Sequence, residues 1–156
     1  MLRGLQMHLT LEVDDAVRMV DCLNCCGERL CAKEISSRTG VSLHFALNIL
    51  RKLCATHVTR SFKGIEGGYE LNRRPEEISL LDIIEAVDGK ISLTRCVKTD
   101  VCSNSKNSTS MCKFYRLYSD LSDSIRKKLA AVTFDQISDI NEHEPVKCPT
   151  EEVKCK

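Results

Sequence analysis

Two short helical patterns joined by a glycine turn constrain the fold of this chain most strongly. The first covers residues 32–38, with Ile35 facing inward, and Thr39-Gly40 ends it. Ser42 is a candidate N-cap for a second helix that continues to Leu53. The second pattern repeats apolar residues at helical spacing, at Ala46, Ile49, Leu50 and Leu53. Two crossed helices that share a core in this way predict a helix-turn-helix unit.

A glycine-rich hairpin is predicted directly after the second helix. Val58–Phe62 is rich in residues that favour β-strands, and Gly67–Leu71 is the returning strand. The connecting loop begins at Lys63, and its glycines permit positive φ. A basic hairpin after a helix-turn-helix is typical of a wing. It can bring Lys63 near a minor groove of DNA while the preceding helix occupies the major groove.

Three more helices are predicted around this unit: Thr10 to about Cys26, Leu80–Val87 after the N-cap Ser79, and Cys112–Val132. The last carries a long apolar stripe, at Phe114, Leu117, Tyr118, Leu121, Ile125, Leu129 and Val132. Such a stripe favours a partner helix in a homodimer, and packing on its own domain is the alternative. The predicted fold class is mainly α: a winged helix-turn-helix with a small β-hairpin wing and a long C-terminal dimerisation helix.

The charge distribution is uneven, although the 156-residue chain carries a formal net charge of only +1. Residues 28–74 hold nine basic and four acidic side chains, whereas residues 75–92 hold five acids and one lysine. The basic segment indicates a polyanion contact or a solvated face. No apolar run approaches the ~20 residues of a membrane span, and the first residues lack the apolar core of a signal peptide. We therefore expect a cytoplasmic protein with no membrane contact.

Ten cysteines in such a chain favour metal binding, redox chemistry or burial over a disulfide framework. Three follow the spacing Cys96-x5-Cys102-x9-Cys112, in a polar segment that leads into the last helix. Thiolates are soft ligands that select iron–sulfur clusters or zinc. Four more lie at the end of the first helix and form half a zinc site, a redox pair or inert buried thiols: Cys22, Cys25, Cys26 and Cys31.

The segments Ala32–Leu53, Lys63–Leu71 and Arg74–Gly89 resemble the Rrf2 family, and the resemblance extends over about residues 9–133. Members are dimeric winged-helix transcription regulators, and those of the IscR and NsrR type hold an iron–sulfur cluster on three cysteines before the dimer helix. The resemblance implies a DNA-binding domain at 1–90 and a cluster-binding loop at 91–111. It implies a dimerisation helix at 112–134. The helical pattern ends after Phe134, and the acidic, proline-containing segment 135–156 is expected to be a flexible tail.

The resemblance also implies a ligand set. Cys96, Cys102 and Cys112 match the cluster cysteines, although the second interval is longer than the family pattern. Asp14 matches a carboxylate ligand that the other subunit donates in NsrR-type members, and this ligand set favours a 4Fe-4S over a 2Fe-2S cluster. A first-turn acid stabilised by the helix dipole is the alternative interpretation of Asp14. Weaker candidates for the same role are His8, Glu12 and Asp15.

DNA contacts are predicted from the geometry of a recognition helix, whose N-terminal part enters the major groove. The residues expected to face outward are Ser42, His44, Phe45 and Asn48. Asn48 can read adenine with two hydrogen bonds, while His44 is either a base or phosphate donor or an ordinary surface histidine. The candidates for backbone contacts are Arg38, Arg51, Lys52 and Arg60, with Lys63 at the wing.

These patterns together predict a dimeric transcriptional repressor on a two-fold double-stranded DNA operator. It is expected to sense redox state, nitric oxide or iron–sulfur status through its cluster. A zinc-stabilised regulator and a metal-free thiol switch are the alternatives. An enzyme is not expected, because the sequence has no glycine-rich phosphate loop and no Ser/His/Asp set.

Overall fold

The computed structural model describes residues 9–64, 67–93 and 113–140. Three helices come first: α1 (Leu11–Cys26), α2 (Ala32–Thr39) and α3 (Leu43–Ala55). Strands β1 (Thr59–Phe62) and β2 (Gly68–Leu71) follow, then a 3-10 turn at Pro75–Glu77 and helix α4 (Leu80–Val87). Helices α5 (Lys113–Ala130) and α6 (Phe134–Ile140) complete the described part of the chain. The protein is thus mainly helical with one two-stranded antiparallel hairpin, as predicted.

The first helix begins and ends where its capping residues require. The Thr10 hydroxyl accepts a hydrogen bond from the Val13 amide at 3.3 Å, which satisfies one of the free amides of the first turn. Gly27 ends the helix at φ +62°, a conformation that other residues rarely adopt, and its amide donates to the Leu23 carbonyl. The inward face of the helix joins the core through Val13, Ala16, Met19, Val20 and Leu23.

Helices α2 and α3 form the predicted helix-turn-helix. Gly40 adopts φ +73° at the turn, and the Ser36 hydroxyl donates to the Val41 carbonyl at 2.6 Å. Both helices pack on α1 through fully buried side chains, at Ile35, Ala46, Ile49, Leu50 and Leu53. The apolar spacing therefore predicted both the helices and the faces that they bury.

The hairpin pairs Thr59 with Leu71 and Phe62 with Gly68. A short bridge between Leu30 and Tyr69 connects it to the segment before α2. A Cβ atom on Gly68 would lie 2.6 Å from the Leu30 carbonyl oxygen, so only glycine allows this approach. The bridge ties the wing to the helix-turn-helix unit at its base.

The C-terminal part of the described chain returns to the domain after α5. The Leu80 amide donates to the Val132 carbonyl, and the Phe134 amide donates to the Ile78 carbonyl. The Phe134 side chain is fully buried, and Ile137 packs against the same core. The expectation that a flexible tail begins at residue 135 is therefore wrong, because α6 packs its first turns on the domain. Residues 141–156 of that tail lie outside the described residues.

Helix α5 presents two different faces. One contacts its own domain: Leu129 packs on the core, Arg126 forms an ion pair with Glu85, and the buried Ser122 hydroxyl accepts from the Leu93 amide. The other exposes a row of large apolar side chains: Phe114 (58% exposed), Leu117 (53%), Tyr118 (37%) and Leu121 (45%). Among the described helices, none is long and apolar enough to cross a membrane.

Candidate nucleic-acid interface and cysteine sites

The N-terminal half of α3 is the most open part of the helix-turn-helix. Ser42 caps the helix, and both Ser42 and His44 are exposed, as predicted for residues that reach DNA. Leu47 lies one turn further on and is 42% exposed. Phe45 is different, since its ring is half-buried and packs against the core. The prediction that Phe45 faces outward with its neighbours is therefore wrong, because the ring packs partly against the hydrophobic core.

Asn48 and Lys52, two predicted DNA contacts, are partly buried, and both donate hydrogen bonds to Glu12 of α1. The Lys52 ammonium donates to Glu12 Oε1 at 2.6 Å and to the Val87 carbonyl at 3.2 Å. The Asn48 amide donates to the same Glu12 oxygen at 3.3 Å and accepts from exposed Arg51 at 2.9 Å. Glu12 thus joins the start of α1 to the recognition helix. No local sequence pattern indicates this role, because Glu12 is 36 and 40 positions away from its two partners.

The wing carries a cluster of two guanidinium groups, one ring and one carboxylate. Glu70 on β2 accepts from Arg60 Nε at 2.6 Å and from Arg29 Nε at 3.3 Å. The guanidinium of Arg29 lies 3.5 Å from the centroid of the Phe62 ring, and that of Arg60 lies 5.4 Å away. Lys63 follows β1 and is exposed at the start of the wing loop, of which residues 65–66 are not described.

The charge on Glu70 is stabilised by its two arginine partners. Desolvation acts to raise the pKa of this carboxyl, but the hydrogen bonds and charges of Arg60 and Arg29 outweigh it and lower the pKa below the ordinary 4.5. Arg29 and Phe62 were not among the predicted site residues. Arg29 belongs to the basic segment 28–74 of the sequence. Its position beside the wing follows from the bridge between Leu30 and Tyr69, which the sequence pattern does not indicate.

The predicted cluster ligands are described only in part. Cys96, Cys102 and Cys112 lie outside the described residues, as does His8. Within the described ranges, no three metal-ligating side chains come together. Cys112 directly precedes Lys113, the first residue of α5, in the sequence.

The acidic residues at the start of α1 have clearly different environments. Asp14 lies in the exposed first turn and forms an ion pair with Arg18 at 2.5 Å, with both side chains more than half exposed. Its second carboxylate oxygen takes no part in that pair. Asp15 is buried, and Glu12 is held by Lys52. Of these three carboxylates, Asp14 is the one in a position to bind a group brought by another chain, which fits the implied donor set of three thiolates and one carboxylate.

The cysteines at the end of α1 lie beside α2. Cys22 and Cys26 are half-buried against the core, and Cys25 is exposed. Arg38 Nη1 donates to Cys26 Sγ at 2.7 Å, so the predicted DNA-backbone contact of Arg38 competes with an internal contact. Cys31, which precedes α2, is disulfide-bonded. Cys54 lies in the last turn of α3, apart from these cysteines, and its sulfur is 3.2 Å from the Thr59 hydroxyl oxygen.

A helix-turn-helix with a basic wing and an open recognition helix defines the class of winged-helix DNA-binding proteins. The model of the Rrf2 family, described as an iron-dependent transcriptional regulator, matches residues 9–140. The chain belongs to the Rrf2 family of transcriptional regulators. Its relatives are regulators and not enzymes, so the chain is classed with DNA-binding regulators of transcription.

Curated relatives carry the name HTH-type transcriptional regulator IscR. The one from Pectobacterium atrosepticum is 32% identical over 104 residues, which covers 67% of this chain and 61% of the relative. The one from Aliivibrio salmonicida is 30% identical over 113 residues, or 72% of this chain and 65% of the relative. The chain therefore spans somewhat less than two thirds of the length of these relatives.

Solved structures of the same fold include two regulators of different names. CymR of B. subtilis, the global cysteine regulator, matches with a TM-score of 0.66 at 18% identity, over 87% of this chain and 99% of CymR. IscR of T. potens matches with a TM-score of 0.65 at 19% identity, over 88% and 90% of the two chains. At this identity the likeness shows a common fold.

Proposed function

We propose that the protein is a homodimeric repressor that binds a two-fold double-stranded DNA operator through α3 and the wing. The observation that carries this proposal is the exposed start of α3 in a domain that also exposes basic side chains at the wing and next to it. In this proposal Ser42 and His44 contact base edges. The phosphate backbone is contacted by exposed basic side chains, namely Arg29, Arg60 and Lys63. Asn48 and Lys52 can contact DNA only if their hydrogen bonds to Glu12 break.

Fluorescence anisotropy with a duplex selected from a random library tests this interface. His44→Ala is expected to lower the affinity about tenfold and to relax the sequence preference, because it removes a base or phosphate donor. Lys63→Ala is expected to reduce the salt slope of binding by about one, because one phosphate contact is lost. Lys128→Ala, at an exposed position on α5, is the matched control. Unchanged binding by both wing and helix variants contradicts the proposal.

The exposed row on α5 supports the homodimer. Phe114, Leu117, Tyr118 and Leu121 follow helical spacing, while the opposite face of the helix already packs on its own domain. A second copy of α5, related by a two-fold axis, covers this row with an identical one. The exposure of these four side chains among the described residues favours a second copy over packing of the whole stripe within one chain. A two-fold dimer also presents two recognition helices, as a two-fold operator requires.

We further propose that an iron–sulfur cluster binds at Cys96, Cys102 and Cys112, with Asp14 of the other subunit as a fourth ligand. The proposal is supported by the thiolate spacing, the exposed position of Asp14 and the iron-dependent description of the family. Such a cluster supplies a centre that reacts with oxidants or nitric oxide. The resemblance to NsrR-type members favours 4Fe-4S over 2Fe-2S. These roles are those of a cytoplasmic sensor of redox state, nitric oxide or iron–sulfur status.

Glu12 provides a route from that site to DNA. It lies two residues before Asp14 on α1, and its carboxylate holds Asn48 and Lys52 of the recognition helix. A displacement of the start of α1 therefore moves the Glu12 carboxylate, to which Asn48 and Lys52 of α3 are hydrogen-bonded. The coupling needs no contact between the metal site and DNA, since α1 is a rigid element that both can bias.

The alternatives are a zinc-stabilised regulator that uses the same cysteines and a metal-free thiol switch. Anaerobic purification with iron, sulfide and zinc analysis separates them from the proposal. A coloured protein with iron and sulfide supports the cluster. A colourless protein with stoichiometric zinc, or one whose mobility shifts on non-reducing gels without metal, supports an alternative.

A further inference from the structure

Two leucines at the start of α3 have no role in the proposed interface. Leu43 is 37% exposed and Leu47 is 42% exposed. The other two leucines of this helix, Leu50 and Leu53, are fully buried. The half-buried ring of Phe45 packs on the core of the described residues, whereas neither exposed leucine does. The start of α3 therefore presents a small apolar surface to solvent.

This apolar surface lies among the exposed polar groups of α3. Positions three and four apart in a helix are neighbours on one face, so Leu43 and Leu47 stand one turn apart. Leu47 also lies one turn after His44 and one turn before Arg51, and both of these side chains are exposed. The two leucines are thus flanked by a histidine and an arginine, unlike the continuous apolar row on α5.

The chemistry of this surface fits the major groove of DNA. A leucine side chain forms no hydrogen bond, so it can distinguish base pairs only by apolar contact. The C5-methyl group of thymine is the apolar group that unmodified DNA presents in the major groove. The phosphates beside it can pair with Arg51, whereas an apolar protein surface placed over the leucines would leave this charge unpaired.

We propose that Leu43 and Leu47 are specificity-determining residues that contact thymine methyl groups in each half of the operator. This inference rests on the proposed function, in which α3 enters the major groove. The two leucines are four residues apart, which is about 6 Å along the helix axis. That distance is close to two base-pair steps of about 3.4 Å each. We therefore expect two thymines within about two steps of each other in each half-site.

Deoxyuridine is the probe that removes only the proposed contact from the base edge. It pairs with adenine as thymidine does and lacks only the C5-methyl group. Fluorescence anisotropy is measured with the full chain and a duplex selected from a random library, and one thymine in each half-site is replaced at a time. At the contacted positions we expect an affinity loss of about fourfold per half-site, which corresponds to burial of one methyl-sized group.

The two leucines are assigned by combining their substitution with that of the base. Leu47→Ala is expected to abolish the deoxyuridine effect at one thymine position and to retain it at the other, and Leu43→Ala is expected to give the reverse pattern. Leu11→Ala, which shortens an exposed leucine on α1, is the matched control and should keep both effects. Each variant is compared with itself on two duplexes, so a general loss of affinity does not produce this pattern.

Three outcomes overturn the inference. They are selected half-sites without thymine, equal affinity for thymidine and deoxyuridine at every position, and a deoxyuridine effect that persists in both leucine variants. Equal affinity is the result expected if a protein segment, and not DNA, covers the leucines. In all three cases, weaker binding by His44→Ala and Lys63→Ala still supports the proposed function. Binding that is insensitive to those two substitutions as well overturns both proposals.

Discussion

Single carboxylates decide how the polar groups of this domain are arranged. Glu12 joins α1 to α3, and Glu70 holds the two arginines of the wing. Asn48, Lys52 and Arg60 were predicted to contact DNA because the sequence pattern puts them on outward faces. Their hydrogen bonds to Glu12 and Glu70 were not predicted, because these contacts depend on how the elements pack together.

Replacement of Glu12 is expected to loosen the contact between α1 and α3. Glu12→Gln should lower the free energy of unfolding by about 1 kcal/mol, because a partly buried ion pair becomes a neutral hydrogen bond. Urea denaturation measures this change. Asp14→Asn, which breaks an exposed pair with Arg18, is the control and should change stability by less than about 0.5 kcal/mol. An equal effect of the two substitutions contradicts the role given to Glu12.

Glu70 predicts an acid-sensitive wing. Its folded-state pKa is lowered by Arg60 and Arg29 against the opposing effect of desolvation. The stabilisation it gives is therefore complete above the ordinary pKa of 4.5 and is lost as the pH falls through the lower folded value. NMR shifts of β1 and β2 amides should change in that acidic range, and Glu70→Gln should remove this change. A wing titration that persists in the variant assigns it to another group.

At the scale of elements, apolar spacing and end signals predicted helices α1 to α5, and β-favouring residues with glycines predicted the hairpin. The bounds of α2 and α3 follow from Ile35, the Gly40 turn and the apolar face of α3. Helix α6 was missed, because a seven-residue helix has too few positions to establish a period. Phe134 was recognised as the end of the preceding pattern, whereas the structure makes it a fully buried anchor.

Phe134→Ala is expected to release α6 and destabilise the domain. Removal of a fully buried aromatic side chain costs about 3–5 kcal/mol. Thermal denaturation followed by circular dichroism measures the loss. Gln136→Ala, at an exposed position of the same helix, should leave the melting temperature nearly unchanged. A small effect of Phe134→Ala would mean that α6 contributes little to the domain.

The exposed row of α5 predicts a dimer that charge substitution can break. Leu121→Glu should shift the protein from dimer to monomer, because it places a carboxylate within an apolar face. Sedimentation equilibrium at micromolar concentration measures the change. Lys128→Glu, which alters charge at an exposed site on the same helix, is the control. A dimer that survives Leu121→Glu places the interface elsewhere.

At the scale of the whole molecule, the described residues form one winged-helix domain to which α5 and α6 are attached by their own contacts. The helical patterns, the Gly40 turn and the hairpin predicted the winged-helix class, and the family resemblance agrees with it because it rests on the same turn and wing and on α4. The chemistry of Cys96, Cys102 and Cys112 rests on spacing and resemblance, since these positions lie outside the described residues. Their link to DNA through Asp14, Glu12 and α3 is the central claim.

Operator affinity with and without the cluster tests this claim most directly. The protein is reconstituted anaerobically with iron and sulfide, and its affinity for a selected duplex is compared with that of the metal-free protein and of Cys102→Ala. We predict visible absorbance with bound iron and sulfide, and an affinity that differs at least about fivefold from that of the metal-free form. Cys102→Ala should lose both the absorbance and the difference. Equal affinity of the iron-loaded and metal-free proteins, or an unchanged response in Cys102→Ala, would contradict the account.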